Sequence, residues 1–328
     1  MNPPFLYLAI VLALGIPTLA SGQSSKATTF AFATIEQGKK LLTEEDDFVS
    51  RLSPFDRAAR MKTDQDVSEQ DYLHFVERNV LDWNSDEKEL VKSALSDLQP
   101  RLEALVLPFP ETICFVKTTG GEEGGAEYTR ANAIVLPQSM LDKKNRKNMR
   151  ETIAHELFHV LSRKNPLLKE KLYAIIGFQP CGEVLFPQAL VEKKITNPDA
   201  PKNDHCIRLK IGNESVWAVP ILSSRVARYD TGRGGEFFQY LSMQYLIVER
   251  NGPASDAKAT YDPSHPRLVS ADQVSGFFEQ VGRNTNYIIH PEEILADNFK
   301  LFLLQEKNVP SPEILQKLGE VLGRKTSE

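Results

Sequence analysis

His155-Glu156-Leu157-Phe158-His159 constrains this chain more than any other stretch. On a helix, residues four apart lie on one face, one turn above each other. Two imidazoles so placed can grip one Zn²⁺ at about 2.0–2.1 Å each. Glu156, next to His155, is then placed to hold a water and take its proton. The 328-residue chain has only six histidines, so a chance match is on the order of a one-in-a-hundred event. The flanks predict a helix. Asp142 can cap it, and Met149, Ile153, Leu157, Val160 and Leu161 recur at helical spacing as a buried stripe. His155 and His159 lie off that stripe, and Pro166 closes the helix.

Catalytic zinc usually has three protein ligands, so one is missing from this motif. The motif resembles that of the zincin metallopeptidases. The extended run of the metzincins fails here, because Ser162 and Asn165 stand where a Gly and a third His belong. In gluzincins the third ligand is a Glu on a later helix, and an Asp four residues on supports a histidine. His290-Pro291-Glu292-Glu293-Ile294-Leu295-Ala296-Asp297 offers that pattern. The resemblance is therefore to gluzincins. It implies Glu293 as ligand and Asp297 as the acceptor that fixes a histidine tautomer. Taken alone, Pro291 followed by two acids is also an ordinary helix start. Glu292 is the near alternative, but it has Ala296 one turn on. It is expected to point about 100° away around the helix and to matter little. The interval from His159 to Glu293 is far longer than in thermolysin-like enzymes, which leaves Glu183, His205, Asp230 and Glu236 as rival ligands.

The resemblance implies an α+β fold, a Zn²⁺ cofactor and a peptide or protein substrate. Glu156 would be the general base. Tyr287 and His290 precede the Glu293 helix and are candidates to steady an oxyanion. Each has a plainer reading, as a packed aromatic and as a helix cap. Two other classes stay open: a zinc-dependent hydrolase of a non-peptide amide, and an inactive zincin-like binding or scaffold protein. The intact Glu156 speaks against the second.

Residues 1–22 carry no charged side chain and include a mostly apolar run from Phe5 to Ile16. This reads as a secretory signal with cleavage near Gly22-Gln23, hence a secreted or periplasmic protein. The lack of Lys or Arg at its start leaves an uncleaved membrane anchor as the alternative. No later segment is apolar enough to span a bilayer. The net charge of −5 is spread along the chain, with no basic cluster interleaved with aromatics, so no nucleic-acid partner is expected. The three cysteines form no C-x-x-C pair. Cys181 and Cys206 could bridge in an oxidising compartment, and Cys114 reads as a buried thiol.

Residues 23–108 are expected to form an N-terminal helical region. One helix would run from Thr43 through Phe55, a second would be capped by Ser68, and a third would open on the Asn84/Glu87 capping box. Residues 109–328 are expected to form the zincin-like domain. Thr112–Lys117 reads as a strand, Gly120–Gly125 as a hairpin turn, and Tyr128–Leu136 as one strand. Zincin resemblance would put Asn132 and Ala133 along its substrate-pairing edge. His205–Ile211, Val216–Ser223 and Phe237–Val248 read as further strands, and Asp272–Val281 and Ser311–Leu322 as helices.

Overall fold

A computed structural model describes residues 28–252 and 257–323. In chain order, β1 (Thr29–Phe32), α1 (Ile35–Leu42), α2 (Pro54–Arg60), α3 (Glu69–Asn79), β2 (Val80–Leu81) and α4 (Ser85–Glu103) lead to β3 (Thr112–Thr118), β4 (Tyr128–Arg130) and β5 (Ala133–Pro137). Then come α5 (Arg146–Lys164), α6 (Pro166–Ile175) and the strands β6 (Phe178–Pro180), β7 (His205–Ile211), β8 (Glu214–Ser224), β9 (Leu241–Asn251), β10 (Lys258–Thr260) and β11 (Leu268–Val269). The described chain closes with α7 (Phe278–Val281), α8 (Pro291–Leu304) and α9 (Pro312–Leu322). Helices and sheets share the structure, so the fold class is α+β. Among the described residues no helix is long and apolar enough to cross a membrane. The expected signal segment lies outside the described residues.

The first sheet runs β1-β3-β5-β4, with β2 on the far end of β3. β1, β3 and β5 are parallel, and β4 is antiparallel at the edge. The period of two along β3 and β5 divides two cores. Ile113, Phe115, Ile134 and Leu136 face the main core with α4, α5 and α8. Val116, Ala133 and Val135 face a second core with Leu42, Tyr72 and Val76 of α1 and α3. The boundary expected near residue 108 is therefore crossed by sheet pairing: β1 joins β3, and α4 packs on α5. The second sheet is antiparallel, in the order β10-β9-β8-β7-β6, with β11 beside β9.

Several elements differ from expectation, each for a local reason. The helix expected from Thr43 is displaced. A capping box of Thr34 and Gln37 starts α1 early, and Thr43 is its C-cap. Asp46 then accepts from the backbone of Phe48 and Val49, which makes a turn, and Ser53 with Asp56 caps α2 afresh at Pro54. Gly120–Gly125 is no hairpin. It holds a 3₁₀ turn flanked by left-handed Gly120 and Gly124, and β5 lies between β3 and β4. Tyr128–Leu136 is two strands folded back at Ala131, which has φ 49°. The edge is thus β4, while Asn132 lies in the turn and Ala133 in an interior strand. Phe237–Tyr240 is a 3₁₀ turn before β9. Asp272–Val281 is broken into a 3₁₀ turn and the short α7, with a β-bridge between Ser275 and Lys210 and Gly276 at φ 85° between them.

Candidate metal centre

The centre is built where α5 meets α8. Asp142 caps the short 3₁₀ turn that leads into α5, and the helix ends just before Pro166. Its predicted stripe is fully buried, and so is much of the opposite side, including Glu156, Phe158, His159 and Ser162. α8 starts on Pro291 with two acids in its first turn, as the helix dipole favours. Those same acids are turned inward, and Glu292 and Glu293 are each 2% exposed.

His155 Nε2 lies 3.1 Å from Glu293 Oε2, and His159 Nε2 lies 3.6 Å from the same oxygen. These three side chains bring one potential ligand atom each to a single point. His159 is 0% exposed, yet its Nε2 has no hydrogen-bond partner. A buried, unpartnered nitrogen is costly unless something fills its lone pair. A tetrahedral cation fits this donor set of two imidazoles and one carboxylate, with a position left open.

Each ring is held by its other nitrogen. His155 Nδ1 is 3.1 Å from Asp297 Oδ1, and His159 Nδ1 is 3.1 Å from Glu292 Oε1. Both supporting carboxylates are themselves tied. Asp297 accepts from Thr285 and, at 2.6 Å, from Lys300. Glu292 accepts from Ser162 and from Tyr173. The free oxygen of Glu293 accepts from Asn197 Nδ2 at 2.6 Å. Glu156, within the same cavity, accepts from the Thr129 hydroxyl at 2.7 Å. The Thr129 backbone N–H donates to Asp199 at 2.7 Å, and Arg163 binds the carbonyls of Pro198 and Asp199. A strap through Asn197 and Asp199 is thereby fastened across edge strand β4.

The electrostatics follow from this crowding. Burial opposes charge on His155, but the contacts with Asp297 and Glu293 outweigh it and raise its pKa well above the ordinary value. Burial likewise opposes charge on His159, but Asp199, Glu293 and Glu292 lift it to about 9. Burial disfavours charged Glu292, yet the His159 contact and Lys169 bring it down to about 2. Asp199 goes the other way: burial and the neighbouring Glu156 and Glu293 carboxylates hold it well above the usual range, against the pull of His159. A site this rich in carboxylates attracts cations. Rings that carry an extra proton must lose it to become ligands, so metal uptake releases protons.

The structure brings together His155, Glu156, His159, Glu293 and Asp297, and it places Tyr287 on the wall of the same cavity of about 340 Å³. His290 is not there. It is the N-cap of α8, where its Nδ1 accepts from Glu292 N, and it lines a larger cavity of about 440 Å³ together with Glu292. Burial and the charge of Lys169 depress it to about 4. The rival ligands are engaged elsewhere. Glu183 pairs with Arg51, His205 with Asp204 and Glu170, and Glu236 with Lys62, while Asp230 closes a turn at Gly232 and Arg233. Glu292 departs from expectation: it does not point away but supports His159. Thr129, Asn197 and Asp199 were not foreseen, and only Thr129 had a signal, its place in a strand just before the motif helix. Cys181 and Cys206 are buried neighbouring thiols.

No family model, curated protein or solved structure matches this chain.

Proposed function

We propose that this chain is a zinc metallopeptidase of gluzincin type. His155, His159 and Glu293 would hold the ion, with Glu292 and Asp297 orienting the rings. The observation that carries the reading is the unpartnered Nε2 of His159, fully buried beside His155 and Glu293, which line one cavity with Glu156. Bound Zn²⁺ supplies Lewis acidity, polarising a carbonyl and acidifying water. Glu156, oriented by Thr129, takes the proton of the water that attacks the scissile carbonyl and passes it to the leaving amine. Tyr287, on the wall of that cavity, would donate to the developing oxyanion. His290 has no part in this scheme, because its accepting nitrogen is spent on the helix cap.

Secretion or export to a periplasm belongs to the same proposal and rests on residues 1–22. N-terminal sequencing of exported protein should give a start at or near Gln23, whereas a start at Met1 favours the anchor.

The deciding experiment is elemental analysis of the purified chain joined to a peptide-library cleavage assay, with and without chelator. About one zinc per chain and chelator-sensitive cleavage are expected. A metal-free preparation that cleaves at full rate would end the proposal.

A further inference from the structure

Asp199 stands over the candidate centre on its strap, and Thr129 of β4 fastens it there. The Thr129 backbone N–H donates to Asp199 Oδ1 at 2.7 Å, and the Thr129 hydroxyl donates to Glu156 at 2.7 Å. One residue of the edge strand thus sets two carboxylates side by side. Glu156, His159 and Asp199 bring one potential ligand atom each within 4.8 Å of one another, as His155, His159 and Glu293 do. His159 belongs to both groups, and its buried Nε2 is the atom without a hydrogen-bond partner. Asp199 Oδ2 likewise accepts no hydrogen bond among the described residues. His159 has only one nitrogen to give, since Nδ1 is held by Glu292, so the two groups describe one ion and not two.

The strap is braced from several sides. Arg163 of α5 donates to the carbonyls of Pro198 and Asp199 at 3.4 and 3.1 Å. Asn197 Oδ1 accepts from the Asp199 backbone N–H at 2.9 Å, and Nδ2 of the same side chain donates to Glu293. Pro198 and Pro201 restrict the backbone on either side of Asp199. The Asp199 carboxylate is therefore aimed by the elements that build the centre. Three carboxylates, those of Glu156, Glu293 and Asp199, crowd the one imidazole of His159. Like charges in such a group repel, and a cation among them offsets the repulsion.

We propose that Asp199 is a fourth protein ligand of the ion held by His155, His159 and Glu293, and that it fills the open position in the resting protein. This rests on the metallopeptidase reading and adds a regulation to that site. Thr129 has both its backbone groups engaged, the N–H by Asp199 and the carbonyl by Arg163. An extended peptide can pair with this part of β4 only after Asp199 has let go. The same movement frees the open position. The strap is thus a latch that covers the metal and the strand edge together, and substrate must displace it from both.

The test loads the full chain with Co²⁺, whose visible absorption reports what binds at the open position, and titrates it with imidazole. Imidazole is neutral, so losing the Asp199 charge does not by itself draw it in. Asp199→Asn keeps an acceptor for the Thr129 N–H and removes the anionic ligand. Near-ultraviolet circular dichroism reports whether its fold is kept. If the latch is closed at least nine-tenths of the time, imidazole should bind the variant at least about tenfold more tightly than wild type. By linkage, zinc affinity, measured by competition with a chromophoric chelator, should fall by a similar factor. An unchanged imidazole affinity or an unchanged zinc affinity overturns the latch and spares the metallopeptidase. If neither protein takes up Zn²⁺ or Co²⁺, the metallopeptidase reading fails and takes the latch with it.

Discussion

His159 Nδ1–H points at Glu292 Oε1 from 3.1 Å, and this contact decides which nitrogen of His159 is turned to Glu293. With Nδ1–H spent on a carboxylate, the neutral ring carries its lone pair on Nε2, which is the unpartnered atom. Asp297 does the same for His155, also from 3.1 Å. One helix, α8, thus supplies a candidate ligand at Glu293 and a support for each candidate histidine. Adjacent residues can serve two rings because His159 is buried between α5 and the first turn of α8. Glu292 and Glu293 then reach it from two sides.

Glu292→Gln keeps the size of the side chain and removes its charge. Zinc affinity should fall by about 10–100-fold, as for Asp297→Asn, because both act through a histidine. Glu293→Ala should weaken binding further than either. Competition with a chromophoric chelator measures all three. An unchanged affinity in Glu292→Gln would mean that the His159 ring is held by packing alone.

Glu156→Gln keeps the shape and removes the proton acceptor. Zinc content should stay near wild type while kcat falls by about 10²–10⁴. Thr129→Val removes the hydroxyl that holds Glu156 and should lower kcat by a smaller factor, with KM little changed. Near-wild-type hydrolysis by Glu156→Gln would exclude the proposed mechanism.

What could be read from the sequence was local. The box at Asn84 and Glu87, the cap at Ser68 and the motif helix all announce themselves within a few residues, and each formed as expected. α1 was missed because Gly38 interrupts it. Gly38 is there because a Cβ would lie 2.8 Å from Val80 Cγ1, so a poor helix former is kept for close packing. The fold-back at Ala131 carries neither Gly nor Asn at its positive φ, and so gave no warning. His155 and His159 were legible from their helical spacing, and Glu293 from the gluzincin-like pattern it forms with Asp297. Asn197 and Asp199 were not, because they sit in a polar loop without periodicity. They reach the site only when the strap lies over β4, and no spacing rule spans that distance.

The buried pair of His205 and Asp204 makes stability depend on pH. Asp204 Oδ1 is 2.6 Å from His205 Nδ1, and both Glu170 oxygens are 3.1 Å from Nε2. Burial opposes the ring's charge, but Asp204 and Glu170 raise its pKa above the ordinary value. Burial also opposes charge on Asp204, which His205 nevertheless holds well below the carboxylate range. For His205 the raised folded value gives a stabilisation that is complete below about pH 6.5 and lost as pH climbs through that value. For Asp204 the lowered folded value gives one that is complete above about pH 3.9 and lost as pH falls through it. The gap between wild type and His205→Gln should therefore be widest between about pH 4 and 6.5, at about 2 kcal/mol, and should narrow on either side. Urea unfolding across this range, with chelator present throughout, checks it. A gap that stays constant with pH would show that the pair is not ionised as described.

Phe158 and Phe299 join α5 and α8, the two helices of the candidate metal centre. Their ring centres are 5.6 Å apart, and both side chains are 0% exposed. Phe158 directly precedes His159, and Phe299 lies two residues past Asp297. Removing a buried phenyl costs about 3–5 kcal/mol, from lost burial and from the cavity left behind. That is a large share of the roughly 5–15 kcal/mol that holds a typical domain together. Phe299→Ala should therefore lower the urea midpoint sharply in chelator, with the slope unchanged. Zinc should restore part of the loss. Bound only by the folded state, it adds about 2.7 kcal/mol at one hundred times its dissociation constant. If the cavity also lets α8 shift on α5, the histidines and Glu293 no longer converge, and the gain from zinc should be smaller in Phe299→Ala than in wild type. Midpoints measured with and without zinc for both proteins give the two effects separately. An equal zinc gain in both would show that the site keeps its geometry without the aromatic contact, and an unchanged midpoint in chelator would show that this contact does not hold the helices together.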